Sequence, residues 1–276
     1  MKKLFIIILG CLLTVGCNQK ASNEKTIINE KTNEELTTKE LTYAYDQDKV
    51  EVNIKIAYPE GGNEILRNAL REFFSESLGG SYDGDLADGQ KMIDFYAEQM
   101  KAELIKEHEE QKQDLSEENI SGFYKTVSIE KTYETDKLIT FTVVEEIYTN
   151  GAHGMHYGYG QTFRKSDGRR FNTDMMCNLT SDGMHTLIKE GLREYFSEMS
   201  DEPMNDEMLK DNILTDNDID YLPMPVYPPF VTEDGIVFGY QPYEISFYAA
   251  GMPSFVVSLN DMKPYLTNTA RKMLGI

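Results

Sequence analysis

The chain has 276 residues, with 27 basic against 47 acidic side chains and a formal net charge of −20. That balance lacks the basic footprint that nucleic-acid binding needs and disfavours docking on anionic lipid head groups. It permits a cationic protein partner, because opposite fields speed encounter, although acidity also serves solubility alone.

Lys2 and Lys3 precede an apolar run from Leu4 to Leu13, and Leu13-Thr14-Val15-Gly16-Cys17 leads into polar Asn18-Gln19-Lys20. The run is shorter than the roughly 20 apolar residues that span a bilayer. A basic start, a short apolar stretch and a small residue before the cut make residues 1–17 a signal peptide. The cysteine after Gly16 resembles a bacterial lipobox, with Thr14 where Leu is commoner, so lipidation (palmitate among the acyl groups) is expected at Cys17. Secretion without lipid is the alternative. Cleavage leaves 25 basic and 47 acidic side chains, a net of −22. With Cys17 acylated, Cys177 stands alone and no intrachain disulfide forms; it is read as buried. The expected location is the cell envelope, lipid-anchored and facing the periplasm rather than the surface.

Residues 18–40 are polar and are expected to be a flexible tether, reaching roughly 25 Å on average. Val50, Val52, Ile54 and Ile56 alternate with polar residues, as in a half-buried strand that follows a turn at Asp46–Asp48. The period then changes. Ile65, Leu66, Ala69, Leu70, Phe73, Phe74 and Leu78 share a helical face, and Gly79-Gly80 stops it. Asp83-Gly84-Asp85 is misplaced for a calcium loop and reads as a polar loop with Asp88 capping a second helix. That helix turns Ile93, Tyr96, Met100 and Leu104 inward and ends in a solvated stretch, Lys106–Gln113.

Two strands, Phe123–Tyr133 and Leu138–Thr149, precede a loop at Asn150–Gly154. A further strand carries Tyr157, Tyr159, Gln161 and Phe163, and Lys165–Gly168 forms a turn. Ser181 or Asp182 caps a third helix. Residues 200–229 read as irregular. Phe230–Leu259 gives two or three strands, and Asn260 caps a final helix. Leu70–Glu76 (LREFFSE) is echoed by Leu192–Glu198 (LREYFSE), through duplication or through similar demands on two core helices. The expected fold is α+β, mostly antiparallel sheet with packed helices, in two strand-helix subdomains.

Tyr148-Thr149-Asn150-Gly151-Ala152-His153-Gly154 is similar to a Y-x-G-G-A-H-G signature. Gly235–Phe238, Pro242-Tyr243-Glu244-Ile245 and Tyr248-Ala249-Ala250-Gly251 are similar to a second block. Both belong to the RsiV-like C-terminal family, domain of unknown function 3298. Asn150 stands where that family usually has Gly, and Asn also tolerates positive φ. Ile54–Pro59 before a helix resembles the start of the PdaC/RsiV-type N-terminal region, domain of unknown function 4163. The resemblance covers roughly residues 40–268. It divides the chain into residues 41–120, the N-terminal region, and 121–276, the RsiV-like domain. It implies an extracytoplasmic module that binds a protein (a lysozyme-like one, as in the best-known member) or a cell-wall ligand. The anti-sigma role of that member does not carry over, because this sequence has no membrane-spanning segment of its kind. Deacetylase activity does not either, because no Asp-Asp metal motif is evident.

The candidate binding residues are Tyr148, Asn150, His153, His156, Tyr157, Tyr159, Tyr243 and Glu244. His153 and His156 give His-x-x-His, but a metal site needs three or four converging ligands, so no metal or cofactor is expected. His153 is read first as a lock on its own loop, with Gly151 and Gly154 allowing a sharp turn. The competing reading is an enzyme acting on cell-wall glycan, with His153 and a carboxylate such as Glu244. Glu145 and Glu146 are adjacent, so on a strand they face apart and cannot be the acid pair that glycan hydrolysis uses. The histidine loop is expected close to a strand carrying Tyr243 and Glu244.

Overall fold

The computed structural model describes residues 35–116, 119–200, 202–214 and 218–276. The expected signal peptide, Cys17 and most of the tether lie outside the described residues. The tether's expected end at residue 40 is corrected. Leu36 is buried, and Thr37 O accepts the Glu60 N–H at 2.9 Å, because this segment packs beside the turn that follows the second strand.

β1 (Thr38–Gln47) and β2 (Val50–Pro59) form a hairpin. Its two-residue turn is Asp48-Lys49, one residue later than expected, and both have positive φ (53° and 65°). That is the turn geometry whose twist suits a tight hairpin. α1 (Glu64–Leu78) follows, capped by Asn63 and closed by Gly79 at φ 136°. Its inward face is as read, except that Ile65 in the first turn is exposed. α2 (Gly89–Asp114) is capped by Asp88. Its C-terminal stretch is not wholly solvated: His108 is buried against the Phe123 ring, with centroids 5.1 Å apart.

The two helices carry the chain across to β3 (Phe123–Glu134), which pairs in parallel with β2. β4 (Leu138–Tyr148) and β5 (Met155–Arg164) then add antiparallel neighbours, completing a five-stranded sheet in the order β1-β2-β3-β4-β5. The sheet therefore runs straight across the expected boundary at residues 120 and 121. Val52, Ile54, Val127, Phe141, Val143 and Phe163 pack with Leu70, Phe73, Phe74, Tyr96 and Met100 in a first core on the α1/α2 face.

A second core lies behind a three-stranded antiparallel sheet of β6 (Phe230–Val231), β7 (Ile236–Gly239) and β8 (Ser254–Val257). α3 (Asp182–Ser200) contributes Met184, Ile188, Leu192 and Phe196 to it, and Ser181 Oγ accepts the Met184 N–H at the start of this helix. The echoed heptapeptides thus supply equivalent buried faces to two different cores. The fold is α+β, mixed rather than wholly antiparallel because of the β2–β3 pair.

The large sheet's other face meets the small sheet at β4–β5. Thr140 Oγ1 lies 2.8 Å from Thr162 Oγ1 and donates to Val231 O at 2.8 Å, and Thr162 Oγ1 accepts the Val231 N–H at 2.8 Å. Gly160 is glycine for a local reason: a Cβ there would lie 2.3 Å from the Phe230 ring.

Three further expectations are corrected. Residues 200–229 contain α4 (Asp206–Asn212), capped by Asn205. Lys189 on α3 ties this helix down by pairing with Asp206 at 2.9 Å and with Asp220 at 2.6 Å. The final helix is broken. Ser258 caps α5 (Leu259–Met262) and Thr267 caps α6 (Asn268–Leu274), because Pro264 between them cannot donate to a continuous helix. Cys177 is half-buried, with Sγ 3.6 Å from Pro264 O. Among the described residues no helix is long and apolar enough to cross a membrane.

Candidate functional site

β4 ends at Tyr148, whose ring stacks on Tyr124 across the strand pair, with centroids 5.9 Å apart. The chain turns at Asn150, at φ 65°. Asn150 Oδ1 accepts the Ser121 N–H at 2.8 Å and Nδ2 donates to Gln111 Oε1 at 3.1 Å. Gln111 Nε2 in turn donates to Thr149 O at 3.0 Å. Asn150 is thereby a structural tie between the loop and the end of α2. The positive φ falls on Asn150 rather than on Gly151 or Gly154. At Gly154 the backbone approaches closely, and a Cβ there would lie 3.0 Å from Ile147 O.

His153 is exposed, and its ring stacks on Tyr248 with centroids 3.6 Å apart and planes 14° apart. Its Nδ1 lies 2.9 Å from Gly154 O and its Nε2 3.3 Å from the Tyr243 hydroxyl. A carbonyl can only accept, so Nδ1 donates and Nε2 accepts from Tyr243 in the neutral ring. Tyr248 also donates to Gly154 O, at 2.6 Å. His153 thus bonds the backbone of its own loop and meets two tyrosines from a distant segment.

That segment is a turn, which corrects the expected strand. Glu244 Oε2 accepts the Gln241 N–H at 2.8 Å, Oε1 accepts the Val226 N–H at 2.5 Å, and the Glu244 N–H donates to Gln241 O at 3.0 Å. Both carboxylate oxygens therefore hold backbone. The closed turn places Tyr243 at φ 66° with 52% of its surface exposed. Such a φ is uncommon for a bulky side chain and costs about 1–3 kcal/mol. Phe247 (51%) and Val226 (77%) are exposed beside it in sequence or through Glu244. His153, Tyr243 and Tyr248 make an aromatic surface carried by the 150–154 and 242–250 loops, and Phe247, next to Tyr248 in sequence, is exposed.

The remaining candidates are elsewhere. His156 pairs with Glu146 at 3.0 Å across the β4–β5 register, and Lys125 pairs with Glu145 at 2.9 Å. The two glutamates face apart, and the two histidines take different partners. Tyr157 sits opposite Glu145 on the strand face it shares with Tyr159. Tyr159 packs on the first core and stacks flat on Tyr227, centroids 4.1 Å apart; burial pushes its phenol above the ordinary value. Both tyrosines thus lie on the α1/α2 side of the sheet and do not join the aromatic surface.

Four residues escaped the sequence reading: Tyr248, Phe247, Val226 and Gln241. Tyr248 stands inside the second similar block, and that block was its one available signal. Gln241 is buried, and its amide pairs with both backbone groups of Gly158 at the edge of β5.

The class these features define is an α+β module whose histidine loop and Pro-Tyr-Glu turn meet. Residues 178–260 match the family described as Protein of unknown function (DUF3298), so the chain carries a DUF3298 domain there. Tyr243, Glu244 and Tyr248 fall inside the match; His153 precedes it. No curated protein matches the chain. Two solved structures share the fold. A DUF3298 family member from Bacteroides fragilis has a TM-score of 0.64 at 18% identity, over 88% of this chain and 98% of that one. A DUF3298 family protein from Pseudomonas aeruginosa has a TM-score of 0.57 at 13% identity, over 86% of this chain and 97% of that one.

Proposed function

We propose that this chain is a cell-envelope lipoprotein, anchored through Cys17 and facing the periplasm, whose folded part is a non-catalytic binding module. Its ligand is a cationic protein of lysozyme type, met through the surface of His153, Tyr243, Phe247 and Tyr248. Residues 41–120 act as a PdaC/RsiV-type N-terminal region that buttresses it. The observation that carries the reading is Tyr243, held in a costly backbone conformation and still half exposed beside His153. Exposed, pre-set aromatic rings supply contact area with little ordering cost. The excess of acidic side chains favours encounter with a cation.

Glu244 bears on the competing glycan-cleaving enzyme. Its carboxylate is spent on the Gln241 and Val226 backbone, so it is not free to act as the acid or base beside His153. The test is binding of purified lysozyme by the parent chain and by Tyr243→Ser/Phe247→Ser, read together with the melting temperature. Loss of binding at unchanged stability supports the module. Cleavage or deacetylation of purified peptidoglycan by the parent, abolished by His153→Ala at unchanged melting temperature, would replace it with the enzyme.

A further inference from the structure

An apolar cleft of about 320 Å³ opens between the two sheets. One wall is Val144 and Gly158 of β4–β5; the other is Val237 and Gly239 of β7. Phe230, lying over Gly160, and Met252, lying over Gly158, complete it. Among the described residues no charged side chain lines it, while the hydroxyl-bearing Thr142 and Ser254 do.

Gly239 gives the cleft its meaning. Glycine inside a strand weakens it and marks a bulge or a close approach by backbone or ligand. β7 pairs regularly with β8 through Gly239, opposite Ser254. Its φ is not positive, so no turn requires it. A Cβ built there meets nothing nearer than Ser254 Cβ at 4.0 Å, in contrast to Gly160, whose missing side chain is filled by Phe230. Among the described residues nothing fills the space left by Gly239. Pockets of roughly 300–1,000 Å³, apolar with a few polar groups, are the usual form of a small-ligand site.

We propose that this cleft binds an uncharged aliphatic chain with a hydroxyl or ester end, its chain along Val144, Val237 and Met252 and its polar end toward Thr142 or Ser254. The absence of a lining cation among the described residues and the chain's net charge of −20 select against a carboxylate-ended chain. The site is separate from the aromatic surface and does not rest on the binding role proposed for it.

The test is isothermal titration of the purified full-length chain with 1-dodecanol and with dodecanoate, below their aggregation limits. The parent is expected to bind dodecanol saturably at one site and dodecanoate at least tenfold more weakly. Gly239→Leu should fill the cleft and weaken dodecanol at least tenfold without lowering the melting temperature. If that variant does not fold, Ser254→Val, which removes a lining hydroxyl, should weaken dodecanol alone. No saturable dodecanol binding, equal binding by the folded variants, or tighter binding of dodecanoate would overturn the proposal. So would a concentration-dependent dimer of the parent that Gly239→Leu abolishes, which would give the cleft to a second copy.

Discussion

Gln241 holds Gly158 as a neighbouring strand would: Nε2 donates to Gly158 O at 2.8 Å and Oε1 accepts the Gly158 N–H at 3.1 Å. β5 is the last strand of its sheet, and this one side chain satisfies backbone that the ladder leaves open. It also anchors the start of the turn that presents Tyr243. Gln241→Leu should leave both groups of Gly158 unpaired, at about 1–3 kcal/mol for each that stays buried. Chemical denaturation should show a lower midpoint, and amide exchange at Gly158 should accelerate.

The stacked pair of His153 and Tyr248 separates structure from recognition. Tyr248→Phe keeps the ring and removes the donor to Gly154 O, so stability should fall by about 1 kcal/mol while ligand capture is largely kept. His153→Ala removes an exposed ring and should change the melting temperature less than Tyr248→Phe does, while weakening capture more. The reverse ranking in the same two assays would make His153 a purely structural residue.

Acid should erode stability at a named place. Burial pushes the Glu134 carboxyl up, but hydrogen bonds from Lys131 and Lys165 and their charges outweigh that and hold it below the ordinary value. Both lysines lie 2.7 Å from it. A depressed folded value gives stability that is present above about pH 4.3, the unfolded value, and is lost as pH falls through the lower folded one. Glu134→Gln should therefore be less stable at neutral pH by on the order of 1 kcal/mol and should lose less than the parent between pH 5 and pH 3. Thermal melts across that range measure the difference.

Cys17→Ala should release the protein from membranes. Fractionation of cells producing both forms is the check, and a variant that sediments with membranes as firmly as the parent removes the anchor. Protease treatment of intact cells that digests the folded part would move the domain to the surface.

The parts legible in the sequence are those where one side chain signals its own environment. Strict alternation at Val50–Ile56 and the 3.6-residue spacing from Ile65 to Leu78 pointed to β2 and α1, with Ile65 alone misplaced on the inward face. α4 was missed because seven residues with one buried apolar side chain, Leu209, make no periodicity. Pro264 splits the last helix although its flanks read as continuous. At the site, likeness between two distant motifs correctly brought His153 to Tyr243. The turn at Tyr243 was illegible because it depends on where the Glu244 carboxylate goes. Gln241 was illegible because its partner is 83 residues away. Asn150 and Tyr148, candidate binding residues in the motif, also hold the loop's framework, since a turn at positive φ and a cross-strand ring pair demand particular side chains.

We propose capture of a cationic protein by the exposed aromatic loops, without chemistry. Titrating purified lysozyme into the parent and into Tyr243→Ser/Phe247→Ser, with melting temperatures measured on the same samples, tests it most directly. Saturable binding by the parent is expected, weakened at least tenfold in the variant (about 1.4 kcal/mol or more) with the melting temperature unchanged. No binding by the parent, or equal binding by a folded variant, would contradict it.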